Sequence, residues 1–289
     1  MSEFIFVLSA SPTLFVVLAV ILGLIVGSFL NVVIHRLPKM MEADFRYECE
    51  CMDIPEESWP VRQKYNLIVP RSACPGCGNA IKAYDNIPVV SWLLLRGKCR
   101  NCGNRISIRY PIVELVTGVL TGVIAWHFGW GVQALGGFLF TWILVALFCI
   151  DADTMYLPDD LTYPLIWLGL LFNLRSSYTS IESAVVGAVV GYLILWSVYW
   201  IFKLLLKREG MGYGDFKLLA ALGAWFGWMS IPFIILFSSL AGVIIGGGAT
   251  LLAKRGWWGT KLPYGPYLVV AGYATMLWGN QALSYWMRM

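Results

Sequence analysis

Apolar residues in this chain do not alternate with polar ones over short periods; they accumulate in long runs. These fall at roughly 12–34, 111–129, 132–150, 159–174, 181–206, 215–229, 230–253 and 264–287. About 20 apolar residues in a helix cross about 30 Å of hydrocarbon, and only a helix or a closed barrel satisfies its own backbone there. The runs at 159–174 and 215–229 are short by that measure. The pattern predicts an all-α polytopic membrane protein with about eight transmembrane helices. The first run does not read as a cleaved signal peptide, because Glu3 stands where a basic segment belongs and the run is too long.

Between the first two runs the pattern changes. Residues 35–110 are polar, which divides the chain into a first transmembrane segment (1–34), an insert (35–110) and a transmembrane domain (111–289). Composition agrees: 58% of the 289 residues are hydrophobic and 13% charged, against about 45–50% and about 25% in soluble domains. Disorder, a small disulfide scaffold and a single soluble domain are excluded. The insert holds 12 of the 21 Lys and Arg residues and eight of the 17 Asp and Glu residues. With eight spans, 35–110, 151–160, 203–217 and 254–261 share one face and carry 19 of the 21 cations. Basic loops mark the cytoplasmic side, so the insert faces the cytoplasm and both termini face away. Gly242 and Gly246 to Gly248 form a small-residue stripe expected to pack helices, and most of the 14 tryptophans are expected to be interfacial anchors.

Four of the seven cysteines form a pattern, Cys74-Pro-Gly-Cys77 and Cys99-Arg-Asn-Cys102, with 21 residues between the pairs. Each turn offers two thiolates, Gly76, Gly78 and Gly103 permit a tight knuckle, and two knuckles complete a tetrahedral all-sulfur site suited to zinc. A redox pair and structural disulfides are the alternatives. A reducing cytoplasm disfavours disulfides, and a thioredoxin-like centre uses one motif where this chain has two. A closed four-thiolate site leaves no open position for chemistry, so zinc here is expected to be structural. Cys49 and Cys51 lie outside the spacing and Cys149 lies in an apolar run.

Ionisable residues at membrane depth are functional suspects. One group is Asp151, Asp153, Asp159 and Asp160 after the third run; another is Asp215 in Gly212-Tyr213-Gly214-Asp215. Both groups fall on the cytoplasmic face of the eight-span arrangement. The only histidines, His35 and His127, fall on opposite faces, and no Gly-x-Ser-x-Gly elbow exists. Two close carboxyls need no histidine: repulsion keeps one protonated while the other acts as base on water. Asp215 also reads as a helix N-cap, and the two roles are compatible. A proton-coupled transporter would place acids nearer mid-span and show repeated halves, whereas Asp151 and Asp215 sit at span ends and Glu114 and Glu182 just inside theirs. A zinc-stabilised adaptor without catalysis, in which the aspartates only cap helices, is the third reading.

Several ordered motifs together resemble the type IV prepilin peptidases, bifunctional leader peptidases and N-methyltransferases among the GxGD intramembrane aspartic proteases. They are Gly27-Ser28-Phe29-Leu30-Asn31 through His35-Arg36-Leu37-Pro38, the paired Cys motifs, Tyr110-Pro111-Ile112-Val113-Glu114, Asp151 through Pro158-Asp159, and Gly212-Tyr213-Gly214-Asp215. The resemblance implies that Asp151, which opens a D-x6-P stretch, and Asp215 are the catalytic pair, with Asp153 the rival to Asp151. It implies cleavage of prepilins and type II secretion pseudopilins between a basic leader ending in Gly and an apolar helix usually beginning with Phe. Methylation of the new N-terminus by S-adenosylmethionine would follow. No Rossmann fingerprint is present, so the insert with Asn31 to Pro38 and Tyr110 to Glu114 is the expected methyl-donor region. Gly97 there reads as a close-approach point or a turn glycine. Lys217 reads as a partner for a substrate carboxylate or as a snorkelling lysine.

Overall fold

The computed structural model describes residues 11–52, 55, 59, 65–207, 211–246, 248 and 263–286. The expected basic segment 254–261 and the end of the run 230–253 lie outside the described residues. Within them all regular structure is helical: α1 (Pro12–Cys51), α2 (Val90–Leu94), α3 (Arg109–Phe128), α4 (Val132–Thr154), α5 (Asp159–Asn173), α6 (Ile181–Leu206), α7 (Tyr213–Phe226), α8 (Ile231–Ala241) and α9 (Gly265–Trp286). A π-helical turn, Gly242–Gly246, prolongs α8. Each of the eight apolar runs contains a helix. Among the described residues, five stretches are long and apolar enough to cross a membrane: α1, α3, α4, α6 and Trp228–Ile245. Helices α5 and α7, of 15 and 14 residues, span only about 21–23 Å at about 1.5 Å per residue. The chain divides into two compact units, Met1–Ala125 and Trp126–Met289.

In the first unit α1 runs 40 residues and passes through Pro38, continuing beyond the apolar run that ends near residue 34. The apolar pattern stops there, but the helical propensity does not. Leu37, Lys39, Met40, Met41, Glu42 and Ala43 all favour helix, and Glu42 pairs with Arg46 one turn on. Pro38 removes one backbone donor, and the helix continues past it. Two glycine pairs at four-residue spacing bring α1 against α3. A Cβ on Gly27 would lie 2.8 Å from Glu114 Cα, and one on Gly122 would lie 2.5 Å from Val20 Cγ2. Gly23 and Gly118 complete the seam, an arrangement in which small residues let helix backbones approach.

In the second unit α7 is the central helix, buried on almost every side from Asp215 to Trp225. Its own sequence explains this, since Phe216-Lys217-Leu218-Leu219-Ala220-Ala221-Leu222 has no polar face apart from Lys217. Small residues of α6 meet it backbone to backbone: a Cβ on Gly191 would lie 2.7 Å from the Leu219 carbonyl oxygen. The far end of α7 is held by Asn173, fully buried at the end of α5. Its Nδ2 donates to the carbonyls of Ala224 and Trp225 at 2.8 and 3.0 Å, and its Oδ1 accepts from the N–H groups of Tyr178 and Thr179. Among the described residues Trp225 departs from the anchor expectation: it is buried, and its indole N–H donates to the Leu165 carbonyl at 2.8 Å. Of the expected glycine stripe, Gly242 is in ordinary contact with the Tyr267 ring and Gly248 faces open space, while Gly247 lies outside the described residues.

Candidate functional site

Two constellations stand out, one in each unit. In the first, Cys74, Cys77, Cys99 and Cys102 converge, with all four Sγ atoms within 4.8 Å of one another. Local backbone builds this. Each pair sits on the same knuckle: the N–H of Cys74 donates to the Asn79 carbonyl and that of Gly78 to the Cys74 carbonyl. The bonds recur from Cys99 to Asn104 and from Gly103 to Cys99. Gly78 and Gly103 take φ of +69° and +70°, a conformation that favours glycine, and single antiparallel bridges (Ala73 with Ala80, Lys98 with Arg105) close each loop. The motif is thus a repeated Cys-x-x-Cys-Gly-Asn. Backbone N–H groups of Gly76 and Cys77 draw the Cys74 thiol down to about 7, and thiols this close share their protons.

The donor set fits a tetrahedral metal. Four zinc–sulfur bonds of about 2.3 Å put sulfurs about 3.8 Å apart, and Cys74 Sγ and Cys102 Sγ are 3.8 Å apart. Cys49 and Cys51 are not part of this cluster. Arg100, inside the second knuckle, makes a forked pair with Asp85 at 2.6 and 3.0 Å, tying the knuckle to the turn Ala83–Asn86. Gly97 has φ +66°, and a Cβ there would lie 2.8 Å from Trp92 Cζ2. Both its turn geometry and its close approach are therefore accounted for within the insert.

Two buried charges in this unit were not singled out by sequence as structural ties. Arg36 donates to the carbonyls of Asn66 and Pro70 at 2.9 and 2.6 Å and lies over the Tyr65 ring. Glu114 accepts the N–H of Val89 at 2.7 Å, and Val89 holds φ +60°, a strained value for a β-branched residue. The signal for both was an ionisable residue beside an apolar run.

The second constellation lies at helix ends. Asp151 closes the last full turn of α4, and Asp215 lies in the first turn of α7. They are 4% and 7% exposed and lie within electrostatic reach of each other. Asp151 Oδ2 is buried without a hydrogen-bond partner. The neighbouring acids differ: Asp153 and Asp160 are exposed, and Asp159 is half-buried. Asp159 accepts from Lys217 Nζ at 2.6 and 2.8 Å, and the same ammonium lies over the Tyr163 ring. Lys217 is therefore already paired within the chain.

Leu157 joins the pieces. It is buried between two glycines, with its Cβ 2.7 Å from where a Cβ on Gly214 would sit and its Cδ1 3.2 Å from one on Gly265. Gly214 is thus needed for close approach, immediately before Asp215. Gly265 was not singled out by sequence at all. No short motif reveals it, because its neighbours come from α4 and from the segment that follows α4.

Residues 21–128 match a family model described as the bacterial peptidase A24 N-terminal domain, and residues 138–247 match the type IV leader peptidase family. Three curated relatives named prepilin leader peptidase/N-methyltransferase are similar over nearly their whole length. That of Stutzerimonas stutzeri is 51% identical over 97% of this chain and 96% of the relative. That of Pseudomonas aeruginosa is 52% identical over 95% and 94%. That of Neisseria gonorrhoeae is 47% identical over 93% and 94%. No solved structure matches. With paired knuckles in the first unit, two buried aspartates in the second and this degree of identity end to end, the chain belongs to the type IV prepilin leader peptidase/N-methyltransferase family.

Proposed function

We infer that this chain removes the leader peptide from type IV prepilins and type II secretion pseudopilins at the cytoplasmic face of the inner membrane, then N-methylates the new N-terminus. The observation that carries the peptidase reading is the buried pair Asp151 and Asp215, two carboxyls within each other's field at the ends of helices in an apolar unit. In such a pair one carboxylate takes a proton from water while the protonated partner donates to the scissile carbonyl oxygen. The hydroxide adds to the carbonyl carbon, the tetrahedral intermediate collapses, and the departing amine takes up the proton held by the first carboxyl. A substrate with its apolar helix in the bilayer presents its scissile bond at this depth.

The four cysteines of the insert 35–110 would hold a structural zinc ion that fixes the two knuckles, with no open position for a reactant. S-adenosylmethionine supplies the methyl group. In the expected donor region Arg36 and Glu114 are already committed to backbone partners. The orientation rests on the basic insert.

The test is cleavage of a prepilin by the purified protein in lipid. Asp151→Ala and Asp215→Ala each should lower the rate by about 10³-fold or more, while Asp153→Ala stays active. If either of the first two cleaves normally, that residue is not in the pair. If Asp153→Ala is dead and Asp151→Ala is active, the rival assignment holds.

A further inference from the structure

We propose that Gly265 is a positioning residue for the aspartate pair: the start of α9 is pressed so closely against the Asp151 carboxyl that any side chain there would displace it. The proposal rests on the reading of Asp151 and Asp215 as the catalytic pair. A Cβ on Gly265 would lie 2.5 Å from Asp151 Oδ2 and 3.0 Å from its Cγ. Its φ does not lie in the left-handed region, so the backbone itself would accept any residue. The requirement is steric, and it comes from the carboxyl.

The contact is polar as well as tight. Gly265 is the first residue of α9, where an N–H has no acceptor within the helix. Pro266 follows and has no N–H. The Gly265 N–H is thus left without an acceptor inside the helix, at a residue pressed against the Asp151 carboxyl. Asp151 Oδ2 nevertheless remains without a hydrogen-bond partner while fully buried. A carboxyl held in this way keeps one oxygen available for a water or a shared proton.

Two further ties make the position specific. Tyr264 Oη lies 2.7 Å from Ser238 Oγ and 3.4 Å from Ser239 Oγ, which anchors the segment before Gly265 to α8. Leu157, wedged between Gly265 and Gly214, relays the same position to the residue before Asp215. Three chain segments, 151–157, 214–215 and 264–265, therefore set the separation of the two carboxyls through contacts that admit no extra carbon atom.

The test compares four variants of the full chain, reconstituted in lipid with a prepilin substrate. Gly265→Ala should lose about 10²-fold in kcat, the loss expected of a carboxyl displaced by about 1 Å. Its KM should stay within about twofold, with helical circular dichroism and thermal midpoint near those of the parent. Tyr264→Phe, which loosens the tether without adding volume, should lose about fivefold in kcat. A purely structural glycine would lower the thermal midpoint and leave kcat per folded molecule unchanged. If Asp151→Ala and Asp215→Ala are dead while Gly265→Ala retains the parent kcat, the positioning role is wrong and the pair stands. If the aspartate variants cleave, the pair itself is wrong. If Gly265→Ala does not fold, an unchanged kcat in Tyr264→Phe overturns the proposal and a reduced kcat at unchanged KM supports it.

Discussion

The cysteine cluster and the aspartate pair are both small sets of ionisable side chains brought together, but they are assembled in opposite ways. The cysteines lie on two copies of one short loop, each closed by its own backbone hydrogen bonds and its own positive-φ glycine. The aspartates come from segments 64 residues apart in sequence and depend on a third segment, at Gly265, whose position α8 helps to fix. A site made of local loops should fail when its ion is lost. A site made of distant segments should fail when any of several packing contacts is enlarged, including contacts that touch neither carboxyl.

The largest test is metal removal. Binding of a structural zinc ion contributes about 10–16 kcal/mol in small zinc modules, far more than any single packing contact. Cys99→Ser with Cys102→Ser should abolish stoichiometric metal in elemental analysis. The insert should then become sensitive to trypsin at Arg96, Lys98, Arg100 and Arg105. Brief chelation of the folded protein should leave prepilin cleavage intact, because the cluster has no open coordination position. If chelation stops cleavage while the insert stays protease-resistant, the metal takes part in the chemistry and the contrast between the two sites collapses.

Next in size is Asn173→Leu. The side chain is fully buried and serves two carbonyls and two N–H groups. Leucine fills the volume and leaves those groups without partners, at about 1–3 kcal/mol for each group left unsatisfied. A total near 3 kcal/mol, read from chemical denaturation in detergent, is expected after partial relaxation. Cleavage should fall with the folded fraction only, since Asn173 holds the end of α7 remote from Asp215.

Gly191→Ala follows, at about 1–3 kcal/mol for overpacking. The atom it meets is a backbone carbonyl of α7, which cannot swing aside as a flexible side chain does. Unlike Asn173→Leu, this change pushes α7 sideways, so it should reduce kcat beyond the loss of folded protein. Equal effects on kcat per folded molecule from the two variants would show that the site tolerates displacement of α7.

These contrasts also explain what was legible in the sequence. The cysteine spacing was readable because the geometry is local: four residues of backbone decide where both thiols of a pair point. Asp151 and Asp215 were readable because charge is scarce in apolar runs, so a carboxyl at a helix end draws notice. Gly265 and Leu157 were not, since their roles arise from which surfaces meet and neither is unusual where it stands. The close glycines at 23 and 27, 118 and 122, and 187 and 191 carry a signal in their four-residue spacing and pack tightly, whereas Gly242 and Gly248 have no neighbour closer than ordinary contact. The end of α1 shows the same division: hydropathy marks where the apolar sequence stops, and helix propensity carries the same helix on to Cys51.

The smallest effect expected is also the most informative about how the second site is held. Lys217 stands two residues after Asp215 and pairs with Asp159 at the start of α5, over the Tyr163 ring. Both partners are partly open to solvent, with side-chain exposures of 22% and 40%, and such pairs stabilise by about 0–1 kcal/mol. Lys217→Met keeps an unbranched apolar side chain and removes the charge that pairs with Asp159 and lies over the Tyr163 ring. The thermal midpoint should barely move, and kcat should drop by no more than about threefold. Were the ammonium a substrate-carboxylate site, Lys217→Met would instead raise KM for substrates bearing that carboxylate and spare those lacking it. A flat KM across the two substrates assigns the pair to holding α5 and α7 together, while the closer packing around Leu157 and Gly265 sets the position of the carboxyls.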